Sequence, residues 1–137
     1  MRYLLDANVL VHWANDVPGA KRIAAKVGAQ PLGQVILSAV TAHELRFLIL
    51  RSKASARHVA GLQTLVREFA VEHFDLPAAH AAADVRWQLE QLEQIGRPLG
   101  VFDMLLAGHA RRLGAAVVTD DEDFARVPGL KTENWLR

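Results

Sequence analysis

Apolar residues along this chain follow two rhythms: short uninterrupted runs, and stripes that recur every three to four positions. Tyr3-Leu4-Leu5 is a run stopped by Asp6, which predicts a short buried strand. A helix is expected over Ala7 to Ala14, closed by a turn at Asp16-Val17-Pro18-Gly19. Ala20, Ile23, Ala24 and Val27 then keep helical spacing, with Lys21, Arg22 and Lys26 off the stripe. Val35-Ile36-Leu37-Ser38 predicts a second buried strand, and Thr41 to Arg51 a helix. Val59, Leu62, Val66 and Phe69 mark another helix, and Val71 to Phe74 a short strand. Pro77 suits the first turn of a helix whose stripe, Ala78, Ala81, Ala82, Val85, Leu89 and Leu92, ends before Gly96. Val101 to Leu113 reads as helical, with Phe102, Leu105, Leu106, Ala110 and Leu113 inward and Gly114 just past its end. Ala115 to Val118 is an all-apolar strand, and a last short strand is expected near Lys131 to Glu133.

Strands that are apolar throughout, alternating with helices, indicate an α/β fold: a three-layer α/β/α sandwich around a short, mostly parallel sheet. Its 137 residues fit a single domain spanning 1–137. Ligands of such sheets bind beyond the carboxyl ends of the strands. Acidic residues gather at those positions. Asp6 follows the first strand directly, and Asp120 and Asp121 follow Val117-Val118-Thr119. Glu44 comes six residues after the second strand, in the expected first turn of the next helix, and Asp103 opens its own helix. Right-handed crossovers bring strand ends and the following helix starts to one edge, so Asp6, Glu44, Asp103 and Asp121 converge there.

Each acid also has a purely structural explanation. Asp6 suits a helix cap. Thr41-x-x-Glu44 matches a capping box. Asp103 complements a helix dipole, and Asp120 or Asp121 suits the cap of a short helix toward Arg126. None of these explanations requires the acids to share a site. Close carboxylates repel one another, and no basic residue neighbours Asp6, Asp103 or Asp121 in sequence. A hard divalent cation with oxygen ligands, Mg²⁺ above all, offsets that repulsion and suits phosphodiester cleavage.

Composition narrows the field further. The absence of cysteine excludes disulfides, thiolate metal sites and a Cys nucleophile, and agrees with a reducing compartment. The first residues turn polar too soon for a signal peptide, and no apolar run approaches a membrane span. The net charge of +1 is unremarkable, but if four acids are neutralised by a cation the remaining surface is mildly positive, as a polyanionic partner requires. His12, His43, His58, His73, His80 and His109 lack zinc-binding spacing and read as structural or exposed. No phosphate-binding glycine loop or nucleophile elbow is present.

Four segments together resemble the PIN domain, and more narrowly the VapC-type toxins of bacterial toxin–antitoxin pairs. They are Tyr3-Leu4-Leu5-Asp6-Ala7-Asn8, Ser38 through Leu45, Gly96 through Asp103, and Val118-Thr119-Asp120-Asp121-Glu122-Asp123-Phe124. The tail Val127-Pro128-Gly129-Leu130 and Glu133-Asn134-Trp135-Leu136 is similar as well. The resemblance implies Asp6, Glu44, Asp103 and Asp121 as metal-binding catalytic acids, supported by Asn8, Thr119 and Asp123. It further implies Mg²⁺ (Mn²⁺ as a substitute), RNA cleavage, a homodimer, a cognate antitoxin and a cytoplasmic protein without membrane attachment. Two departures stand out: Ala7 replaces the usual Thr, and Asp120 stands where Asn is common. Asp120 and Asp123 are therefore alternatives to Asp121 as the fourth ligand.

Arg46, Arg51, Lys53 and Arg57 follow Glu44 and are placed to track phosphates, with Arg86 and Arg97 as further candidates. Trp13, Trp87 and Trp135 read as packing residues more readily than base-stacking ones, with Trp87 off its helix's main stripe and facing an interface. Two competing functions keep the same acids. An aspartyl phosphatase of the haloacid dehalogenase type wants a second Asp two residues after Asp6, where this chain has Asn8, and leaves Glu44 and Asp103 idle. A non-catalytic PIN-fold binding module has no need of all four acids.

Overall fold

The first strand of the chain is the middle strand of the sheet. A computed structural model describes residues 1–15, 18–92 and 99–137. Its five strands are β1 (Tyr3–Leu5), β2 (Val35–Ser38), β3 (Val71–Glu72), β4 (Ala116–Val118) and β5 (Thr132–Glu133). They lie in the order β3-β2-β1-β4-β5, and every pairing is parallel. The helices are α1 (Ala7–Ala14), α2 (Ala20–Gly28), α3 (Ala39–Arg51), α4 (Ala56–Arg67), α5 (Leu76–Gln91) and α6 (Val101–Leu113), with a 3₁₀ turn at Glu122–Arg126.

Side chains of a strand alternate between its faces, and here each face meets its own helical layer. Leu4, Ile36 and Val117 pack with Val85, Leu89, Leu106, Ala107 and Ala110 of α5 and α6, and with Phe124 and Val127. Leu5, Leu37 and Val118 pack on the other side with Val9, Leu10, Ile23, Leu45 and Leu62, from α1 to α4, and with Trp135. Burial on both sides explains why the strands read as unbroken apolar runs. The three-layer α/β/α architecture is therefore the one the sequence pattern predicts.

Helix boundaries depart from expectation where polar side chains set them. α3 begins at Ala39 rather than Thr41, because Ser38 is its N-cap and accepts a hydrogen bond from the Val40 amide at 3.0 Å. The capping box at Thr41 and Glu44 is thus not formed, and Glu44 lies in the second turn of the helix. α4 ends at Arg67, so Phe69 packs from beyond it against Trp13. β3 stops at Glu72. Phe102, expected inward, is 44% exposed and lies beside the His43 ring of α3, with ring centroids 5.1 Å apart. Gly114 ends α6 at φ +65°, a conformation that favours glycine. Asp16 and Val17 of the expected turn, and Gly96 with Arg97, lie outside the described residues.

Two buried contacts fix α6. Gly108 faces α5 so closely that a Cβ there would stand 2.3 Å from the Ala82 Cα. On the next residue, His109 reaches the other way and shares a 2.8 Å hydrogen bond with the Ser38 hydroxyl at the end of β2.

Candidate active site

The four candidate acids all lie on the carboxyl edge of the sheet, each delivered by a different element. Asp6 ends β1 and starts α1, and its amide donates to the Val118 carbonyl at 3.0 Å. It is 3% exposed, which is rare for a carboxylate without a basic partner. The Thr119 hydroxyl donates to Asp6 Oδ2 at 2.9 Å and also accepts from the Asp121 amide at 3.0 Å. Thr119 thereby joins the exits of the two central strands. Asp121 in turn caps the 3₁₀ turn by accepting from the Asp123 amide at 2.9 Å. Its capping role and its place at the site are compatible, because that bond occupies only Oδ1.

Glu44 reaches the same region from α3. The helix is docked by Thr41, whose hydroxyl donates to the Leu5 carbonyl at 3.4 Å, one residue before Asp6. Asp103 sits in the first turn of α6. The charges of these groups act on one another. Burial first, then Asp6 and Asp103, push the Glu44 pKa up to about 7. Burial, then Asp6, Asp121 and Asp123, push Asp103 up to about 6. Asp6 is raised as well, chiefly by burial and against the Thr119 hydrogen bond, with Asp120 and Asp121 adding repulsion. Such repulsion links Glu44 to Asp6 and Asp103, and Asp103 in turn to Asp6, Asp121 and Asp123, so the four candidate acids share one electrostatic neighbourhood, with Asp120 and Asp123 at its margin.

The donor set suits a hard divalent cation. It consists of carboxylate oxygens alone, and the buried Glu44 Oε1 has no hydrogen-bond partner among the described residues. Among those residues no three acids stand close enough to ligate one ion as they are.

The other candidates scatter. Asn8 is exposed in the first turn of α1. Arg46 is exposed near Glu44, whereas Arg51 lies seven residues along α3, about 10 Å from Glu44 at 1.5 Å per residue. The Arg51 guanidinium covers the Phe47 ring at 5.5 Å, and Arg51 and Lys53 edge a cavity of about 350 Å³ between α1, α3 and α4. Those two basic residues belong to a different surface from the acids. Arg97 lies outside the described residues. Trp135 is buried against Tyr3 with ring centroids 5.1 Å apart, while Trp87 is 62% exposed.

Sequence reasoning missed three groups here. Thr41 was read as a cap, Ser38 only as a strand end, and Arg126 forms a 3.6 Å ion pair with Asp123. The i, i+3 spacing of Asp123 and Arg126 is the sequence signal that reveals that last contact. Among the described residues, no helix is long and apolar enough to cross a membrane.

Known proteins share both sequence and fold. Residues 3–130 match the profile of the PIN domain. The "tRNA(fMet)-specific endonuclease VapC" of Shigella flexneri is 32% identical, the match covering 98% of each chain. "Ribonuclease VapC2" of Rickettsia felis is 27% identical, again over 98% of each. Among solved structures, the VapBC2 complex of Rickettsia felis bound to a promoter DNA fragment contains a chain that superposes with a TM-score of 0.82 at 26% identity, covering 98% of this chain and 99% of that one. A DNA-bound VapBC of Salmonella typhimurium gives 0.80 at 27%, covering 98% of each. Sequence and fold agree, and the chain belongs to the PIN-domain family, within its VapC group.

Proposed function

We propose that this chain is a divalent-cation-dependent endoribonuclease, the toxin of a toxin–antitoxin pair, with Asp6, Glu44, Asp103 and Asp121 as its catalytic acids. The observation that carries the reading is the convergence of four acids from four elements on one strand-exit edge, including a buried, unpartnered Glu44 Oε1. Mg²⁺ is the proposed cation, and Mn²⁺ its substitute. When bound, it supplies charge neutralisation at the scissile phosphate and lowers the pKa of an attacking water.

The chain's own residues prepare that chemistry. Thr119 holds Asp6 Oδ2 and so fixes the carboxylate at the strand exit. Thr41 holds α3 at the end of β1 and so sets the approach of Glu44. Glu44 Oε1 is the oxygen placed to accept a hydrogen bond or a proton from water. Asp121 organises the 3₁₀ turn through Oδ1 and offers its second oxygen to the site. Asn8, Thr119 and Asp123 are assigned supporting roles, and Arg46 and Arg97 contact the RNA backbone. The far position of Arg51 and Lys53 assigns them to the distal reach of an RNA or to a partner.

The Shigella relative's printed substrate makes tRNA the first RNA to test. The solved VapBC complexes of relatives support an antitoxin partner for this chain. Exposed Phe47, Leu50, Val101 and Phe102 support a homodimer. The lack of cysteine, together with no spanning helix among the described residues, supports a cytoplasmic location.

The test is cleavage of bulk tRNA and of total bacterial RNA by purified protein with Mg²⁺, Mn²⁺ or EDTA, beside an Asp6→Asn, Asp103→Asn double variant. Discrete fragments that need the cation and vanish in the folded variant support the reading. Equal cleavage by the variant rejects the site. Absence of cleavage, in protein shown to be free of antitoxin, favours a binding module.

A further inference from the structure

Three polar groups deep in the molecule form a chain that the catalytic reading leaves unused. Ser38 is 0% exposed and His109 1% exposed, and their 2.8 Å hydrogen bond joins β2 to α6. Ser38 Oγ also accepts the Val40 amide and so caps α3. The backbone of His73 borders the ring as well and pulls His109 toward its protonated form, less strongly than burial opposes it. Burial pushes the His109 pKa down, against the pull of Asp75 and Glu72, which keeps the ring neutral at neutral pH. A neutral Nδ1 can accept from the Ser38 hydroxyl while Ser38 Oγ accepts from the Val40 amide, so each of the two bonds has its donor. Phe74 closes the pocket edge-on, 5.4 Å from the ring.

The placement has a consequence for the acids. Ser38 starts α3 six residues before Glu44, and His109 lies six residues after Asp103 on α6. Gly108 already locks α6 against α5, where no Cβ fits. The His109–Ser38 bond therefore registers α3, and Glu44 with it, against a helix that cannot slide.

We propose that His109 is a positioning residue: it fixes the separation of the helices that carry Glu44 and Asp103, and through them the grip of the acids on a divalent cation. This rests on the acid cluster holding such a cation. Groups that orient metal ligands from behind typically change metal affinity ten- to a hundredfold when removed, without touching the metal.

The experiment is Mn²⁺ titration followed by electron paramagnetic resonance, well below the melting temperature, on wild type, His109→Leu, His109→Asn and Ser38→Ala. His109→Leu is expected to weaken Mn²⁺ binding roughly tenfold or more. His109→Asn, whose side-chain amide reaches the Nδ1 position, restores most of it. A His109→Leu protein that folds, melts lower and binds Mn²⁺ like wild type reduces His109 to a core residue and overturns the proposal. So does a His109→Asn protein no better than His109→Leu. Should His109→Leu fail to fold, Ser38→Ala breaks the same bond from the other side, and unchanged affinity there is equally fatal. A wild type that binds no Mn²⁺ overturns the cation-site reading itself, an outcome distinct from any defect confined to the variants.

Discussion

Helix α6 holds two regions built on opposite terms. Its first turn carries Asp103 among other acids, with a pKa pushed up to about 6. Its middle, from Leu106 to Ala110, is wholly buried and packed against α5 and the sheet. The first turn places like charges together for chemistry and costs stability. The middle supplies the rigidity that keeps those charges from moving apart. Close packing a turn and a half away holds the repulsive first turn in place.

The strongest way to break that arrangement is at the anchor. Gly108→Ala places a methyl 2.3 Å from the Ala82 backbone, and α5 and α6 must separate. Overpacking of this severity is expected to cost about 3 kcal/mol or more. Urea denaturation measures it, and a variant as stable as wild type removes the anchor from the account.

Next in size is the site. Asp103→Asn is expected to lower RNA cleavage roughly a hundredfold or more, equivalent to about 2.7 kcal/mol of barrier. The same variant relieves repulsion on Glu44, so without cation it melts higher than wild type. A lower melting temperature would mean that Asp103 stabilises the fold and that the contrast within α6 is wrong.

A milder test uses pH alone. Glu44 is raised from 4.5 to about 7, and Asp103 from 3.8 to about 6. The folded protein therefore binds more protons than the unfolded chain between those limits. Its stability is fully present below the unfolded values and is lost as pH rises through the folded ones. His109 acts in the opposite sense, but its lowered pKa confines that effect to below about 6.5. The melting temperature of cation-free protein is thus expected to fall as pH rises from about 4.5 to about 7, with His109 offsetting part of the fall below about 6.5, and to level off above about 7; saturating Mn²⁺ is expected to abolish the fall. A flat profile rejects the crowding of the acids.

The smallest effect is expected at Thr119. Thr119→Val removes the hydroxyl that holds Asp6 and costs about 1 kcal/mol of stability. It also removes a contact that lowers the Asp6 pKa, so Mn²⁺ binding is expected to shift to higher pH. Calorimetry across pH reads both.

The sequence made some of this legible and concealed the rest for physical reasons. Strands buried on both faces must be apolar throughout, so β1, β2 and β4 could be read from runs as short as Tyr3-Leu4-Leu5. Acids that end such runs stand out, and Asp6 and Asp121 were found that way. The start of α3 was misjudged because Ser38, Thr41 and Glu44 all have capping chemistry, and only tertiary context selects Ser38. Phe102 keeps helical spacing with Leu106, yet spacing does not say which end of a stripe the fold leaves uncovered. His109 falls on the buried stripe of α6, but its partner is 71 residues away and nothing local announces it.

The central position of β1 also governs how the molecule comes into being. Its flanking strands are β2 and β4, and the bond that joins Asp6 to Thr119 closes a loop of 113 residues. Loop closure on that scale is costly in chain entropy, and topologies dominated by such pairings fold slowly. Neither half of the chain alone brings Asp6 to Thr119 and Asp121. The proposed site therefore exists only once both ends of the chain have come together, and a chain that lacks either end is expected to leave RNA uncut.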